Sequence, residues 1–185
     1  VFALTCVLNY SMDTGSELVL LPRFEMPKVL AAMRRKPPTQ FFGVPTMFVR
    51  LLDVASERAA AIGARTRLFV SGSAPLPAPV MEAFRERFGH VILERYGMTE
   101  TVMLTSNPYR REDGERLAGT VGFPLPGVQL RVHDDKGMPV ATGEIGSKSL
   151  TGSKPAKARP ANGRTPPPAS MATATFWWVR RSQDL

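Results

Sequence analysis

Short apolar runs alternate with segments that begin on proline, and this alternation constrains the fold more than any other feature of the chain. Glu17–Leu21 leads to Pro27, the run 41–44 leads to Pro45, and the run 68–70 leads to Pro77. Proline suits the first turn of a helix, where its missing N–H has no intrahelical partner. Behind each proline, apolar residues recur at helical spacing. These are Val29, Leu30 and Met33; then Met47, Phe48, Leu51, Leu52 and Ala55; then Val80, Met81, Phe84 and Phe88. A further strand is expected over 90–96. Strands alternating with helices need crossover connections, so the expected class is α/β with a mostly parallel sheet. After Leu117 the pattern changes. Gly122, Pro124, Pro126 and Gly127 mark a turn before the alternating Val128, Leu130 and Val132. A hairpin turn over 134–137 and a strand beginning at Gly143 complete a short β-rich segment. No internal repeat is present.

Charge divides unevenly along the 185 residues. The whole carries +8, but 1–146 hold 17 Lys+Arg against 15 Asp+Glu, whereas 147–185 hold 7 against Asp184 alone. The basic segment also contains Pro155, Pro160, Pro166, Pro167 and Pro168 and few large apolar residues before Phe176, Trp177 and Trp178. Such a composition buries too little surface to offset ordering entropy, so 147–185 is expected to be a disordered tail behind a folded domain over 1–146. A tail of this kind could hold nucleic acid, but a nearly neutral body argues against specific nucleic-acid binding. No apolar run is long enough to span a membrane, and 1–8 lacks the basic start and cleavage site of a signal peptide. The single Cys6 excludes an internal disulfide and reads as a small core residue. The cytoplasm, or a mitochondrial matrix in a eukaryote, is the expected setting. His90 and His133 have no second histidine or cysteine nearby and suggest no metal site.

Two segments following strands could carry chemistry. The first is Ser71-Gly72-Ser73-Ala74-Pro75-Leu76 and the second is Tyr96-Gly97-Met98-Thr99-Glu100-Thr101. Ligands of open parallel sheets bind at the carboxyl ends of strands, where both loops are expected. Small residues at 71–74 allow backbone amides close to a ligand. Tyr96 offers a flat face to a nucleobase and Thr99 a hydroxyl to a phosphate. Glu100 offers a hard oxygen to Mg²⁺, which commonly takes one or two carboxylates plus substrate phosphates. The plain alternative is a glycine turn with a solvated glutamate. Asn107-Pro108-Tyr109 follows as a loop with no assigned role, and 110–116 reads as a solvated mixed-charge loop.

Tyr96-Gly97-Met98-Thr99-Glu100 resembles the Y/F-G-x-T-E motif of the adenylate-forming superfamily, which includes acyl-CoA synthetases, peptide-synthetase adenylation domains and luciferases. The 71–76 segment resembles that family's adenine loop. Gly119-Thr120-Val121-Gly122-Phe123-Pro124 with Pro126-Gly127-Val128, and Gly143-Glu144-Ile145-Gly146, resemble two later segments. The stretches 93–109 and 43–50 are most similar to malonyl-CoA and methylmalonyl-CoA synthetases. The resemblance covers about residues 1–146. It implies part of the large N-terminal domain of such an enzyme. It also implies ATP and CoA as co-substrates, Mg²⁺, and activation of a small carboxylic acid through an acyl-adenylate.

By the same resemblance, Ser71, Gly72, Ser73, Ala74 and Pro75 frame the adenine, Tyr96 stacks on it, and Gly97 and Met98 belong to the nucleotide site. Thr99 meets the α-phosphate and Glu100 holds Mg²⁺; these two are the catalytic candidates. A dicarboxylate needs a cation for its second carboxylate, since burying that charge unpaired is costly. Arg50 is the first candidate and Arg95 the second, with Met98 limiting the acyl pocket. The family's phosphate loop lies upstream of this sequence, and its ribose-binding aspartate and C-terminal domain lie downstream. The chain alone is therefore expected not to complete the reaction. The compositional break at Ser147 is what a frame shift or partial gene model would produce. The alternatives are a ligase for another short- or medium-chain acid and a non-catalytic nucleotide-binding fragment. Oligomeric state is not legible.

Overall fold

The computed structural model describes the backbone of residues 3–141, 147–152 and 176–180. Cys6, as a side chain, and the expected strand start over 143–146 lie outside the described residues.

The chain divides into two units, Val1–Phe123 with Met171–Leu185, and Pro124–Ser170. The first unit begins with a π-helical segment, Leu4–Asn9, which runs into the short helix α1 (Tyr10–Asp13). Then follow β1 (Glu17–Leu21), α2 (Met26–Arg35), β2 (Gln40–Gly43), α3 (Pro45–Leu51) and α4 (Ser56–Arg65). Next come β3 (Leu68–Ser71), α5 (Ala78–Phe88), β4 (Leu93–Met98), β5 (Val102–Ser106) and the two-residue β6 (Phe123–Pro124). In the second unit, β7 (Val128–His133) pairs antiparallel with β8 (Ser147–Gly152), from Val128 opposite Gly152 to His133 opposite Ser147. The turn after β7 is held by Asp134, whose carboxylate accepts from the amides of Lys136 at 2.9 Å and Met138 at 2.8 Å, an aspartate-capped turn.

One more strand, β9 (Phe176–Arg180), belongs to the first unit, and the sheet runs β1-β9-β2-β3-β4-β5-β6. Its centre is parallel, β2 against β3 and β3 against β4. β9 lies antiparallel to both β1 and β2, and β5 is antiparallel to β4. The expected α/β class therefore holds, with antiparallel strands flanking the parallel centre. Two pieces of the segment read from composition as a disordered tail, β8 and β9, are strands, while 153–175 lies outside the described residues.

Both faces of the parallel centre are covered, which is why its strands read as unbroken apolar runs. Phe41 and Phe69 point to one face, where Val29, Met33, Phe48, Leu51, Met81, Phe84 and Phe88 from the long helices form the larger core. Their neighbours Phe42, Leu68 and Val70 point to the other, where they meet Val7 and Leu93, as a two-residue period requires. The helix expected to run from Pro45 to Ala55 ends at Leu51. α4 follows it and was not anticipated, because its inward positions are Ala59 and Gly63, too small to register as an apolar stripe.

Candidate functional site

β3 and β4 are parallel with Val70 opposite Leu93 and Ser71 opposite Glu94, so both end at the same edge of the sheet. This register brings the two motif segments together. Residues 72–76 leave the end of β3, and Tyr96 stands two residues beyond the partner of Ser71. Ser71 and Gly72 are buried, whereas Ser73, Ala74 and Pro75 are exposed before Leu76 is buried again. Ser73 sits at φ 70°, a conformation that costs a non-glycine residue free energy and needs surrounding support.

The second segment differs from its sequence reading as a loop. Tyr96, Gly97 and Met98 form the end of β4, and only 99–101 make the turn into β5. The hairpin is irregular: Tyr96 faces Thr105, but Gly97 faces Met103, so the register shifts between Tyr96 and Gly97. Gly97 is required at this bulge, since a Cβ there would sit 2.1 Å from the Val102 carbonyl oxygen. Val102 itself has φ 61°, which is unfavourable for a β-branched residue. One strained non-glycine residue thus lies within the first motif segment, Ser73, and another directly after the second, Val102. Tyr96 is half-buried, and Thr99 and Glu100 stand exposed on the turn.

These residues fit the chemistry expected of them in two respects. An exposed hydroxyl and carboxylate next to each other can reach phosphate oxygens and a cation held by them. The exposed Glu100 carboxylate also fits a Mg²⁺ that takes most of its ligands from phosphate and water.

The two arginine candidates differ in setting. Arg50, on α3, is exposed and donates to the Phe24 carbonyl at 3.1 Å. Arg95 is half-buried in β4, and its Nε donates to Ser106 Oγ at 3.3 Å. Successive strand residues face opposite ways, so Arg95 and Tyr96 serve different sides of the same edge.

Two polar residues were not singled out as site residues from the sequence. Glu94 is 3 % exposed, and its Oε1 accepts from the Leu76 amide at 2.8 Å, while Oε2 has no partner among the described residues. The Glu94 carbonyl accepts from the Asn107 amide at 3.0 Å. Asn107, 2 % exposed, donates from Nδ2 to the Thr120 carbonyl at 2.8 Å. The available signal was a lone carboxylate directly after the apolar run 91–93, since buried acids are rare unless they have a partner.

Burial pushes the Glu94 carboxyl above its usual range, and the Leu76 amide offsets part of that rise. The native state therefore holds this proton more tightly than the unfolded chain does. Stability is expected to fall as pH rises from the unfolded value of 4.5 through the raised native value, with the full cost present above it. Glu94→Gln should flatten that decline. Thermal unfolding from roughly pH 4 to 8 checks it, and identical profiles for the two proteins would refute it.

Residues 1–154 match the family model described as AMP-binding enzyme. The chain is 42% identical over 146 positions to a malonate–CoA ligase of Arabidopsis thaliana, covering 70% of this chain and 24% of that protein. It is 38% identical over 144 positions to a 4-hydroxybenzoate–CoA/benzoate–CoA ligase of Rhodopseudomonas palustris, covering 76% and 26%. Among solved structures it is similar to ATP-bound MatB from Rhodopseudomonas palustris, with TM-score 0.64 and 46% identity over 71% of this chain and 25% of that one. The chain thus spans about a quarter of the length of the proteins it matches.

Proposed function

The chain belongs to the AMP-binding enzyme family, and from that premise we propose that it supplies the nucleotide-binding core of an ATP-dependent acid–CoA ligase acting on malonate or methylmalonate. The observation that carries this reading is the parallel register of β3 and β4, which sets 71–76 beside Tyr96 at one sheet edge.

The reaction needs little covalent work from the protein. The acid's carboxylate attacks the α-phosphate of ATP, a P–O bond forms, and pyrophosphate leaves. The CoA thiolate then attacks the acyl carbon of the adenylate, and AMP leaves. Position and charge stabilisation supply most of such catalysis. Residues 71–75 and Tyr96 hold the adenine, Thr99 orients the α-phosphate, and Met98 bounds the acyl side. Glu100 would hold Mg²⁺, which when bound would supply neutralisation of phosphate charge.

Arg50 and Arg95 are the two candidate partners for a second carboxylate. Each already donates one hydrogen bond, Arg50 to the Phe24 carbonyl and Arg95 to Ser106 Oγ. Arg95 is the more buried of the two, and a guanidinium pairs bidentately with a carboxylate. The malonate–CoA ligase relative supports the dicarboxylate, and the benzoate–CoA ligase relative supports an aromatic or other small acid as the second reading. ATP, CoA and the acid are the small-molecule partners. No helix among the described residues is long and apolar enough to cross a membrane.

The nucleotide site is tested by calorimetry with AMP. Tyr96→Ala is expected to weaken binding by about tenfold or more, the scale of one lost base–aromatic stack; unchanged affinity would remove Tyr96 from the site. The acid is tested by ATP-dependent pyrophosphate release over malonate, methylmalonate, acetate and benzoate, run on the complete enzyme that contains this segment. Activity on acetate equal to that on malonate would overturn the dicarboxylate assignment.

A further inference from the structure

The loop between β3 and α5 must hold one shape to receive a nucleotide, yet it carries the strained Ser73. Strain of this kind persists only where neighbouring groups fix the backbone. The far end of the loop is fixed twice. The Leu76 side chain is 2 % exposed, and its amide donates to Glu94 Oε1 at 2.8 Å. Glu94 is itself held in the parallel ladder opposite Ser71, and its carbonyl takes the Asn107 amide at 3.0 Å. Asn107 passes the connection on to the Thr120 carbonyl at 2.8 Å. A chain of hydrogen bonds therefore runs from the loop through β4 to Thr120. It links three of the segments that carry the family's motifs.

A carboxyl group in this place needs a reason, because burying it costs free energy that an apolar side chain would not. The bond it accepts is that reason: without it the buried Leu76 N–H would be left unpaired. We propose that Glu94 is a positioning residue that fixes the backbone of 72–76 in the conformation that receives the nucleotide. It acts through the loop, and this role rests on the nucleotide-binding reading above. Asn107, whose loop had no assigned role, braces Glu94 from behind.

The test uses the 185-residue chain, AMP as the probe, and two variants. Glu94→Leu removes the acceptor, and its AMP dissociation constant is expected to rise about tenfold, the scale of one lost buried hydrogen bond. Glu94→Gln keeps an acceptor oxygen and is expected to stay within about threefold of wild type. Hydrogen exchange at the Leu76 amide should be fast in Glu94→Leu and slow in Glu94→Gln. Leu51→Ala, in the same core as Leu76 but outside the loop and its hydrogen bonds, should lower stability without changing AMP affinity, which separates positioning from general weakening. Wild-type affinity in Glu94→Leu, or equal loss in both Glu94 variants, would overturn the proposal. If Glu94→Leu does not fold, the wild type decides: AMP should add protection at the Leu76 amide, and no added protection overturns the proposal. A wild type that binds no AMP would instead bring down the nucleotide reading, and this role with it.

Discussion

Phe69→Ala is expected to destabilise the first unit by about 3–5 kcal/mol, the usual cost of deleting a fully buried phenyl ring. Phe69 has no exposed surface and stands at the centre of the aromatic core. Its ring centroid lies 4.9 Å from Phe84, 5.7 Å from Phe41, 6.1 Å from Phe88 and 5.2 Å from the His90 ring. Three of these contacts are edge-on, each contributing about 0.5–1.5 kcal/mol beyond the area buried. β3 is held on both sides in the parallel ladder, so the backbone cannot close the resulting cavity cheaply. Native domains are stable by only about 5–15 kcal/mol, so this one change removes a large share. Denaturant unfolding measures it. Phe123→Ala provides the comparison, because Phe123 is 65% exposed and should shift stability by less than about 0.5 kcal/mol. A loss below about 1 kcal/mol at Phe69 would contradict the packing described.

Gly63→Ala is expected to lower the unfolding temperature strongly, although alanine is the better helix former. Propensity alone favours alanine by about 1 kcal/mol in a helix interior. Packing opposes it: a Cβ at Gly63 would lie 1.9 Å from the Phe88 carbonyl oxygen and 2.9 Å from its carbonyl carbon. The obstacle is backbone at the end of α5, which cannot rotate away as a side chain would. α4 and α5 would have to separate, which disturbs the His90 Nε2 contact with the Gly63 carbonyl at 2.9 Å. Overpacking of a rigid contact costs about 1–3 kcal/mol or more, which outweighs the propensity gain. Thermal unfolding of the variant reads the net sign. An unchanged or raised midpoint would mean that the two helices are not in such close contact.

How much of this was legible in the sequence depends on what each element signals locally. The prolines at 27, 45 and 77 marked the starts of α2, α3 and α5, because proline's fixed φ acts on its own segment whatever the tertiary context. The β2 and β3 runs were visible because burial on both faces leaves no polar interruption. α4 was not visible, since Gly63 packs by having no side chain and so adds nothing to a hydrophobic period. The motif around Tyr96 was found as a string of residue types, but its hairpin geometry was not. The register shift at Gly97 depends on β5, which the motif does not encode. Glu94 was missed as a site residue for a related reason. Its role depends on an amide 18 residues away that only the folded sheet brings within reach. Phe176–Arg180 forms β9, and a five-residue strand in an otherwise polar, proline-rich segment is diluted in any average of composition.

That last strand has a consequence for the order in which the molecule assembles. Among the described residues, β1, near the start of the chain, meets the sheet only through β9, with Glu17 opposite Arg180 and Leu21 opposite Phe176. The parallel centre from β2 to β4 closes over short separations and can form early. β1 must wait for a partner about 160 residues further along, and non-local pairings of that kind form slowly. Until then the free edges of β1 and β2 are exposed to pairing with another chain. The interval before β9 docks is therefore one in which unpaired strand edges leave this protein open to aggregation.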